Sequence, residues 1–147
     1  MEETEFREIY EKYKADAYRL SYSYLRKPED AEEAVHESFL ALWKKPPRKI
    51  ERAKSYLFSV VVRKSLDLLR KRAREAPPLD ESQVAGSGDY GYLYAALDKL
   101  PEKDSGLLRL HYFAGLGLAE IAKARSMSVE AVKKAMERAR NALKEII

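Results

Sequence analysis

Apolar residues recur at three- and four-residue spacing along most of the chain, and this period constrains the fold more than any other feature of the sequence. In the first half the period runs over residues 6–24, about 30–43 and about 53–74. The valine- and threonine-rich alternation typical of strands is missing. The pattern therefore predicts an all-α protein whose first three helices form one bundle. On the third helix, the residues expected to face the core are Leu57, Val60, Val61, Ser65, Leu68 and Leu69.

Residues 76–91, APPLDESQVAGSGDYG, interrupt the helical period. The segment is rich in proline, glycine, serine and acidic residues, which is typical of a linker. A structured loop within one domain is the alternative, although loops of this length are uncommon in compact folds. We predict two small helical domains, residues 1–75 and 92–147, joined by a flexible linker at 76–91. Fully extended, about sixteen residues reach at most roughly 55 Å, which lets the domains lie far apart on a long partner.

The second half contains the most specific local pattern, a helix-turn-helix between residues 118 and 133. Ser126-Met127-Ser128 forms the predicted turn, and Ser128 is expected to cap the following helix. Ser126 stands where glycine is usual, which costs near 1 kcal/mol if the turn needs a positive φ. The residues expected to face the core around the turn are Ile121, Ala122, Val129 and Val132. Helices are expected at about 92–100, 102–113, 118–125 and 129–146.

The helix after the turn carries a charged outer face. In helices that read DNA, exposed N-terminal residues approach base edges and later basic residues hold phosphates. An ordinary two-helix corner with a solvated outer face is the alternative interpretation. We predict a DNA-binding face that begins at Ser128 and in which Glu130, Ala131, Lys134 and Glu137 lie near the bases. The predicted phosphate contacts are Lys133, Arg138 and Arg140.

The net charge of +4 conceals an uneven distribution along the chain. Residues 1–43 hold 6 basic and 11 acidic side chains, a net of −5. Residues 44–74 hold 12 basic and 2 acidic side chains, a net of +10. Residues 75–147 hold 10 basic and 11 acidic, a net of −1. A solubilising face is one explanation of the basic segment, but such faces usually mix their signs. The concentration of positive charge favours a polyanion partner.

Composition excludes several kinds of site. The sequence has no cysteine and only two histidines, which excludes disulfides and argues against a zinc centre. It also lacks a glycine-rich phosphate loop and a nucleophile–base pair, so we expect no catalytic residue, no cofactor and no metal. His111, beside Tyr112 and Phe113, is interpreted as a packing residue. The acidic N-terminus is unlike a secretory signal and no apolar run reaches membrane-spanning length, so we expect a cytoplasmic protein without membrane insertion.

Several motifs in a fixed order resemble the extracytoplasmic-function sigma factors of bacterial RNA polymerase. Residues 30–43, DAEEAVHESFLALW, are similar to the family's DAEDLVQETFLRLW helix. Residues 55–72, SYLFSVVVRKSLDLLRKR, are similar to its WLFRIARNLAIDYLRRR helix. Residues 96–103, ALDKLPEK, 112–116 and the closing 132–140 also match the family's second domain. The resemblance covers nearly the whole chain and implies a factor that recognises promoter DNA and opens it for transcription initiation.

The resemblance also implies partners and site residues. The acidic helix would bind the clamp region of the largest subunit of core RNA polymerase, through Glu33, His36, Glu37 and Trp43. The basic segment would bind the downstream promoter element and its unstacked strand, through Lys49, Arg52, Lys54, Tyr56, Arg63, Lys64, Arg70 and Arg72. Phe58 is a further candidate for base stacking. The helix-turn-helix would bind the upstream element, and the family implies an anti-sigma factor as a further partner.

Three other functions remain open from the sequence. Tyr56, Lys64 and Lys134 differ from the residues usual in the family. A sigma-like mimic, which binds an anti-sigma factor without directing transcription, would explain these differences. A mimic, however, has no evident reason to keep the +10 segment. A stand-alone helix-turn-helix repressor usually binds DNA as a dimer, and no dimerisation helix follows residue 147. An enzyme is the third class, and the sequence offers no catalytic constellation for it.

Overall fold

The computed structural model describes residues 1–75 and 90–147, and all regular structure within these two ranges is helical. The all-α prediction is confirmed. The predicted linker lies outside the described residues except for Tyr90, in a turn, and Gly91, which begins a helix. The helices are α1 (Glu3–Leu25), α2 (Pro28–Lys44), a 3-10 turn (Ile50–Arg52), α3 (Ala53–Glu75), α4 (Gly91–Asp98), α5 (Glu102–Tyr112), α6 (Leu118–Arg125) and α7 (Val129–Ile146).

Helices α1, α2 and α3 pack against one another as a three-helix bundle. A capping box starts α1, in which the backbone N–H of Glu2 donates to the Glu5 carboxylate at 3.1 Å. Helix α2 begins at Pro28, two residues before the predicted start, because proline at the first helical position loses no hydrogen bond and has a suitable φ. The largest fully buried side chains of the bundle are Leu20, Leu42, Leu57 and Phe58.

For three side chains the burial predicted from the sequence is wrong. Phe58 is fully buried and therefore offers no surface for base stacking. Leu69 is exposed because it lies about 100° around α3 from Leu68, at the edge of the inward stripe. Val129 is also exposed, since it is the first residue of α7 and lies at the solvent-facing end of the turn, whereas Val132 is fully buried.

The second half is organised around α5, whose Leu107, Leu108 and Leu110 are fully buried. Helices α6 and α7 pack on it and on each other as the predicted helix-turn-helix. Ser126 ends α6 in the left-handed region, with φ 55° and ψ 48°. Ser128 then caps α7, and its Oγ accepts a hydrogen bond from the N–H of Ala131 at 3.1 Å.

The two halves also pack against each other. Helix α1 contacts α4 and α5, and α3 contacts α6, so that the buried residues of both halves form one continuous apolar cluster. Tyr94 of α4 lies edge-on to Tyr22 of α1, with ring centroids 5.9 Å apart. The division into independent domains at residues 75 and 92 stays a prediction. No helix in the described part of the chain is long and apolar enough to cross a bilayer.

We predict that Ser126→Gly stabilises the protein by about 0.5–1 kcal/mol, because glycine adopts a positive φ without steric cost. For a chain of this size the gain corresponds to roughly 2–4 °C in the melting temperature, measurable by circular dichroism. Ser126→Ala is the matched control, since it removes the same hydroxyl but keeps a Cβ in the left-handed region. An equal gain from Ser126→Ala would contradict the explanation.

Candidate nucleic-acid and protein interfaces

One face of α2 is acidic and exposed. Glu33, His36 and Glu37 all lie on it, as the sequence predicts. Leu40 lies on the same face, seven residues after Glu33, and is 40% exposed. Leu40 was not predicted from the sequence, although a leucine at a polar-face position of an amphipathic helix is the available signal. Together these residues form a surface that is acidic at Glu33 and Glu37 and apolar at its C-terminal end, which we name the α2 face.

Trp43 lies at the C-terminal end of α2 and is 44% exposed. Its ring lies edge-on to Phe6 of α1, with centroids 5.0 Å apart, and Phe6 in turn contacts Phe39. These contacts hold the indole in a fixed position while half of it stays open to solvent. Trp43 flanks the α2 face and provides rigid apolar contact area at little entropic cost.

The predicted downstream DNA-binding residues lie along α3 and the turn before it. Lys49, Arg52, Arg63 and Arg70 are exposed, whereas Lys54, Tyr56, Lys64 and Arg72 are half-buried. Tyr56, Arg63 and Arg70 are spaced by seven residues and therefore share one face of the helix. This alignment places an aromatic ring and two guanidinium groups in a row, which is an arrangement that can follow a single nucleic-acid strand.

Arg72 makes contacts within the bundle that the sequence did not predict. Its guanidinium lies 3.3 Å from Asp30 Oδ1 and 3.5 Å from Glu33 Oε2, both on α2. The negative charge of Asp30 raises the pKa of Arg72 above its ordinary value. Arg72 therefore links the end of α3 to the start of α2 and meets a member of the α2 face.

Two predicted DNA-binding cations of the first half are paired with acids of the second half. Lys54 Nζ lies 2.5 Å from Glu120 Oε2. Arg70 Nη2 donates to both carboxylate oxygens of Glu102, at 2.9 and 3.1 Å. Partial burial alone would raise the pKa of Glu120, but the hydrogen bonds from Lys54 and from the N–H of Gly117 hold that pKa below its usual range.

The outer face of α7 is open to solvent. The predicted upstream DNA-binding residues are all exposed, namely Ser128, Glu130, Ala131, Lys133, Lys134, Glu137, Arg138 and Arg140. Arg138 differs from the others because it donates to Asp104 Oδ1 of α5 at 2.8 Å. The first turns of α7 therefore present their polar side chains freely, whereas Arg138 already has an acidic partner.

A buried arginine in α5 is the main polar feature that was not predicted from the sequence. Arg109 is only 2% exposed, and its Nε donates to Ser105 Oγ at 2.8 Å while Nη2 donates to Asp98 Oδ1 at 2.6 Å. Nη1 donates to the backbone carbonyl of Ser23 in the first half, and the guanidinium lies 4.3 Å from the ring centroid of Tyr24. The apolar residues around Arg109 in LLRLHYF are the one hint of its burial in the sequence.

Arg26 extends this network across the two halves. Its side chain is almost fully buried and forms an ion pair with Asp98. Burial lowers the pKa of Arg26, and the charge of Asp98 opposes this effect. Burial raises the pKa of Tyr24, and the positive charge of Arg109 opposes this effect. Asp98 therefore serves two guanidinium groups, one from each half.

Side chains that could bind a metal ion are dispersed over the described part of the chain. Within residues 1–75 and 90–147, no three histidine or acidic side chains are grouped closely enough to hold a metal ion. His111 Nδ1 lies 2.9 Å from the carbonyl oxygen of Leu116, so the ring is engaged in the turn between α5 and α6. This contact agrees with its interpretation as a packing residue.

Comparison with known proteins gives a match for each half. Residues 9–75 match the family described as Sigma-70 region 2, and residues 90–143 match Sigma-70, region 4. The chain is 31% identical over 135 residues to the RNA polymerase sigma factor SigV of Bacillus subtilis (strain 168), an alignment that covers 86% of this chain and 81% of that relative.

Two solved structures share the fold. The structure of CnrH in complex with the cytosolic domain of CnrY matches with a TM-score of 0.73 and 22% identity, over 96% of this chain and 86% of that one. The sigma factor RpoE of Bartonella quintana, in complex with the anti-sigma factor NepR, matches with a TM-score of 0.69 and 20% identity, over 96% and 95%.

We predict that Lys133→Ala/Lys134→Ala reduces the salt dependence of binding to double-stranded DNA. Removal of one phosphate-binding lysine should flatten the slope of log K against log salt concentration by about 0.9. Fluorescence anisotropy over a range of salt concentrations measures this slope. The control is Lys12→Ala/Lys99→Ala, which removes two exposed lysines outside α7. Equal slopes in the two double variants would contradict a phosphate-binding face on α7.

Proposed function

The chain belongs to the sigma-70 family, as an extracytoplasmic-function sigma factor, and on this basis we propose which surface binds each partner during transcription initiation. The α2 face and Trp43 bind the clamp region of the largest subunit of core RNA polymerase. The face of α3 that carries Tyr56, Arg63 and Arg70 binds the downstream promoter element, and α7 binds the upstream element. The protein acts in the cytoplasm, where the polymerase and the promoters are.

The proposed polymerase contact rests on the composition of the α2 face. Leu40 provides exposed apolar area, and Glu33 and Glu37 provide negative charge beside it, so the face offers both an apolar anchor and charged groups to a partner. The acids would steer the factor towards a basic partner and fix its orientation. Trp43 adds a large ring whose position is already fixed by Phe6.

Strand opening needs no catalysis in this proposal. Tyr56 provides a half-buried ring beside the cations of α3, and a splayed base stacking there would favour the open strand over the duplex. Because the factor binds the open form better, that difference in affinity shifts the equilibrium without nucleotide hydrolysis. Simultaneous contact with both promoter elements requires the halves to separate, and the length of the 76–91 segment allows this.

An anti-sigma factor is the proposed regulatory partner. Both solved relatives are complexes, one with the cytosolic domain of CnrY and one with the anti-sigma factor NepR. The alternative function, a mimic that binds an anti-sigma factor without directing transcription, is favoured by the pairing of Lys54, Arg70 and Arg138 with acids. Transcription assays distinguish the two, because a mimic gives no new transcripts.

We predict that purified core RNA polymerase with this protein produces discrete new transcripts from fragmented genomic DNA. Glu37→Lys should weaken binding to the core enzyme by about tenfold, or roughly 1.4 kcal/mol, because it places a positive charge against a basic partner. Run-off transcription at limiting factor and a core-binding titration measure the two effects. Glu8→Lys is the matched control, with the same charge change on an exposed position of α1.

The outcomes separate the alternatives. New start sites that weaken with Glu37→Lys and not with Glu8→Lys support the sigma function and the α2 face together. An equal loss of transcription and core binding in the two variants would show that the net charge of the protein, and not the α2 face, determines binding. No transcripts from folded protein with active core enzyme would contradict the sigma function and favour the mimic.

A further inference from the structure

We propose that a cavity between α1, α3, α5 and α6 binds a small phosphoryl anion through the guanidinium groups of Arg63 and Arg125 and the hydroxyl group of Tyr24. We name this space the inner cavity. The inference goes beyond the proposed function, because the sigma activity neither supplies nor requires such a ligand. The polar and charged side chains that the argument uses on the wall of the cavity are Tyr24, Arg63, Asp67, Arg70, Glu102 and Arg125.

Cations outnumber acids on the wall of the inner cavity. Three of its lining residues are arginines and two are acids, which leaves a net charge of +1. A guanidinium group presents its N–H donors in a planar fork that matches the oxygen atoms of a phosphate. The volume is about 200 Å³, whereas one water occupies roughly 30 Å³ in the liquid, so a tetrahedral anion with its remaining waters fits.

Two of the three arginines have no acidic partner. Arg70 is held by Glu102, at 2.9 Å, and lies 3.8 Å from Asp67. Within residues 1–75 and 90–147, Arg63 and Arg125 form neither an ion pair nor a side-chain hydrogen bond. Their N–H donors are therefore available to an anion without the loss of an existing contact, and the ligand set is Arg63 and Arg125 in preference to Arg70.

Tyr24 supplies a further donor from the interior. The residue is only 6% exposed, and its hydroxyl oxygen has no hydrogen-bond partner in the described part of the chain. Buried polar groups are normally paired, so an orphaned hydroxyl on a cavity wall indicates a missing acceptor. Burial also raises the pKa of Tyr24, which keeps the hydroxyl protonated at neutral pH and able to donate to an anion.

The hydroxyl of Tyr24 and the guanidinium of Arg125 converge on one point beside α5. A Cβ atom at Gly106 would lie 3.6 Å from Tyr24 Oη and 3.8 Å from Arg125 Nη2. Because Gly106 has no side chain, this point stays unfilled. Rotation of the flexible Arg125 side chain towards an anion brings its N–H groups and the Tyr24 hydroxyl to the same oxygen atoms.

The shape of the site favours a small ligand over a polynucleotide. Tyr24 lies at the inner end of the cavity, and a phosphate with a sugar on both sides is too large to reach it. A wider cleft of about 620 Å³ adjoins the cavity and shares Arg63 and Arg125 with it. Inorganic phosphate or the terminal phosphate of a small ester therefore fits, with any organic group of the ester in the cleft.

Isothermal titration calorimetry of the full chain tests the proposal, with inorganic phosphate and, separately, AMP as the titrant. Sodium chloride keeps the ionic strength constant, so that screening does not change between injections. One test variant is Arg63→Gln/Arg125→Gln. Its matched control, Arg48→Gln/Arg74→Gln, removes two exposed arginines of the same basic segment that do not line the cavity.

A second test variant is Tyr24→Phe, which removes the orphaned hydroxyl and keeps the ring that lies 4.3 Å from the Arg109 guanidinium. Its control, Tyr22→Phe, removes a hydroxyl from the same helix outside the inner cavity. Because the Tyr24 hydroxyl has no partner, Tyr24→Phe should not lower the melting temperature of the protein without ligand. Circular dichroism measures that temperature for all variants.

The parent is expected to bind phosphate at one saturable site and to melt at a higher temperature when phosphate is present. The double arginine variant should bind at least about tenfold more weakly, because it loses charge-assisted hydrogen bonds. Tyr24→Phe should bind about fivefold more weakly, through the loss of one hydrogen bond. Both controls should bind as the parent does.

No saturable binding of phosphate or AMP by the folded parent would overturn the site. Unchanged affinity in the double arginine variant would show that the anion binds elsewhere, and unchanged affinity in Tyr24→Phe would overturn the role of the hydroxyl. Tighter binding of AMP than of phosphate would support a phosphate ester as the ligand, and the reverse would support free phosphate. Neither readout involves transcription, so failure of the proposed sigma function is seen separately in the run-off assay.

Discussion

A single buried guanidinium determines how the two halves of this chain meet. Arg109 has almost no access to water, and its donors are satisfied by Ser105, Asp98 and the Ser23 carbonyl. Transfer of a charge into a protein interior is costly unless its hydrogen bonds are complete, and removal of one partner costs about 3–5 kcal/mol. The position of α1 against α4 and α5 is therefore tied to the contacts of one side chain. Apolar packing between Tyr22 and Tyr94 supports the same arrangement.

The uneven charge of the chain has consequences within the molecule as well as for its partners. The segment 44–74 has a net charge of +10, and part of this charge is met by acids of the same chain. Arg72 meets Asp30 and Glu33 of α2, while Arg70 meets Glu102. Groups that would bind a polyanion are thus already partnered in the free protein. A polyanion that binds these cations must therefore compete with the carboxylates that already partner them.

The helices could be predicted closely, whereas their long-range contacts could not. Pro101 and Ser128 lie immediately before α5 and α7, as predicted, whereas the positive φ of Ser126 could be stated from the sequence only as a condition. Local patterns did not reveal that Leu69 and Val129 are exposed, since both fit an inward period. The burial of Arg109 was beyond prediction because its partner Ser23 is 86 residues away in the sequence. The exposure of the predicted residues on α2 and α7 follows from the helical period. The pairing of Lys54 and Arg70 with acids of the second half does not follow from it, because these contacts join distant parts of the sequence.

On this account the buried guanidinium of Arg109 holds the second half against the first. The most direct test records the distance between spin labels on Lys12→Cys and Lys144→Cys, by double electron–electron resonance, in the parent protein and in Arg109→Met. The account predicts a narrow distribution in the parent and a broader, longer one in the variant. An unchanged distribution in folded Arg109→Met protein would contradict it.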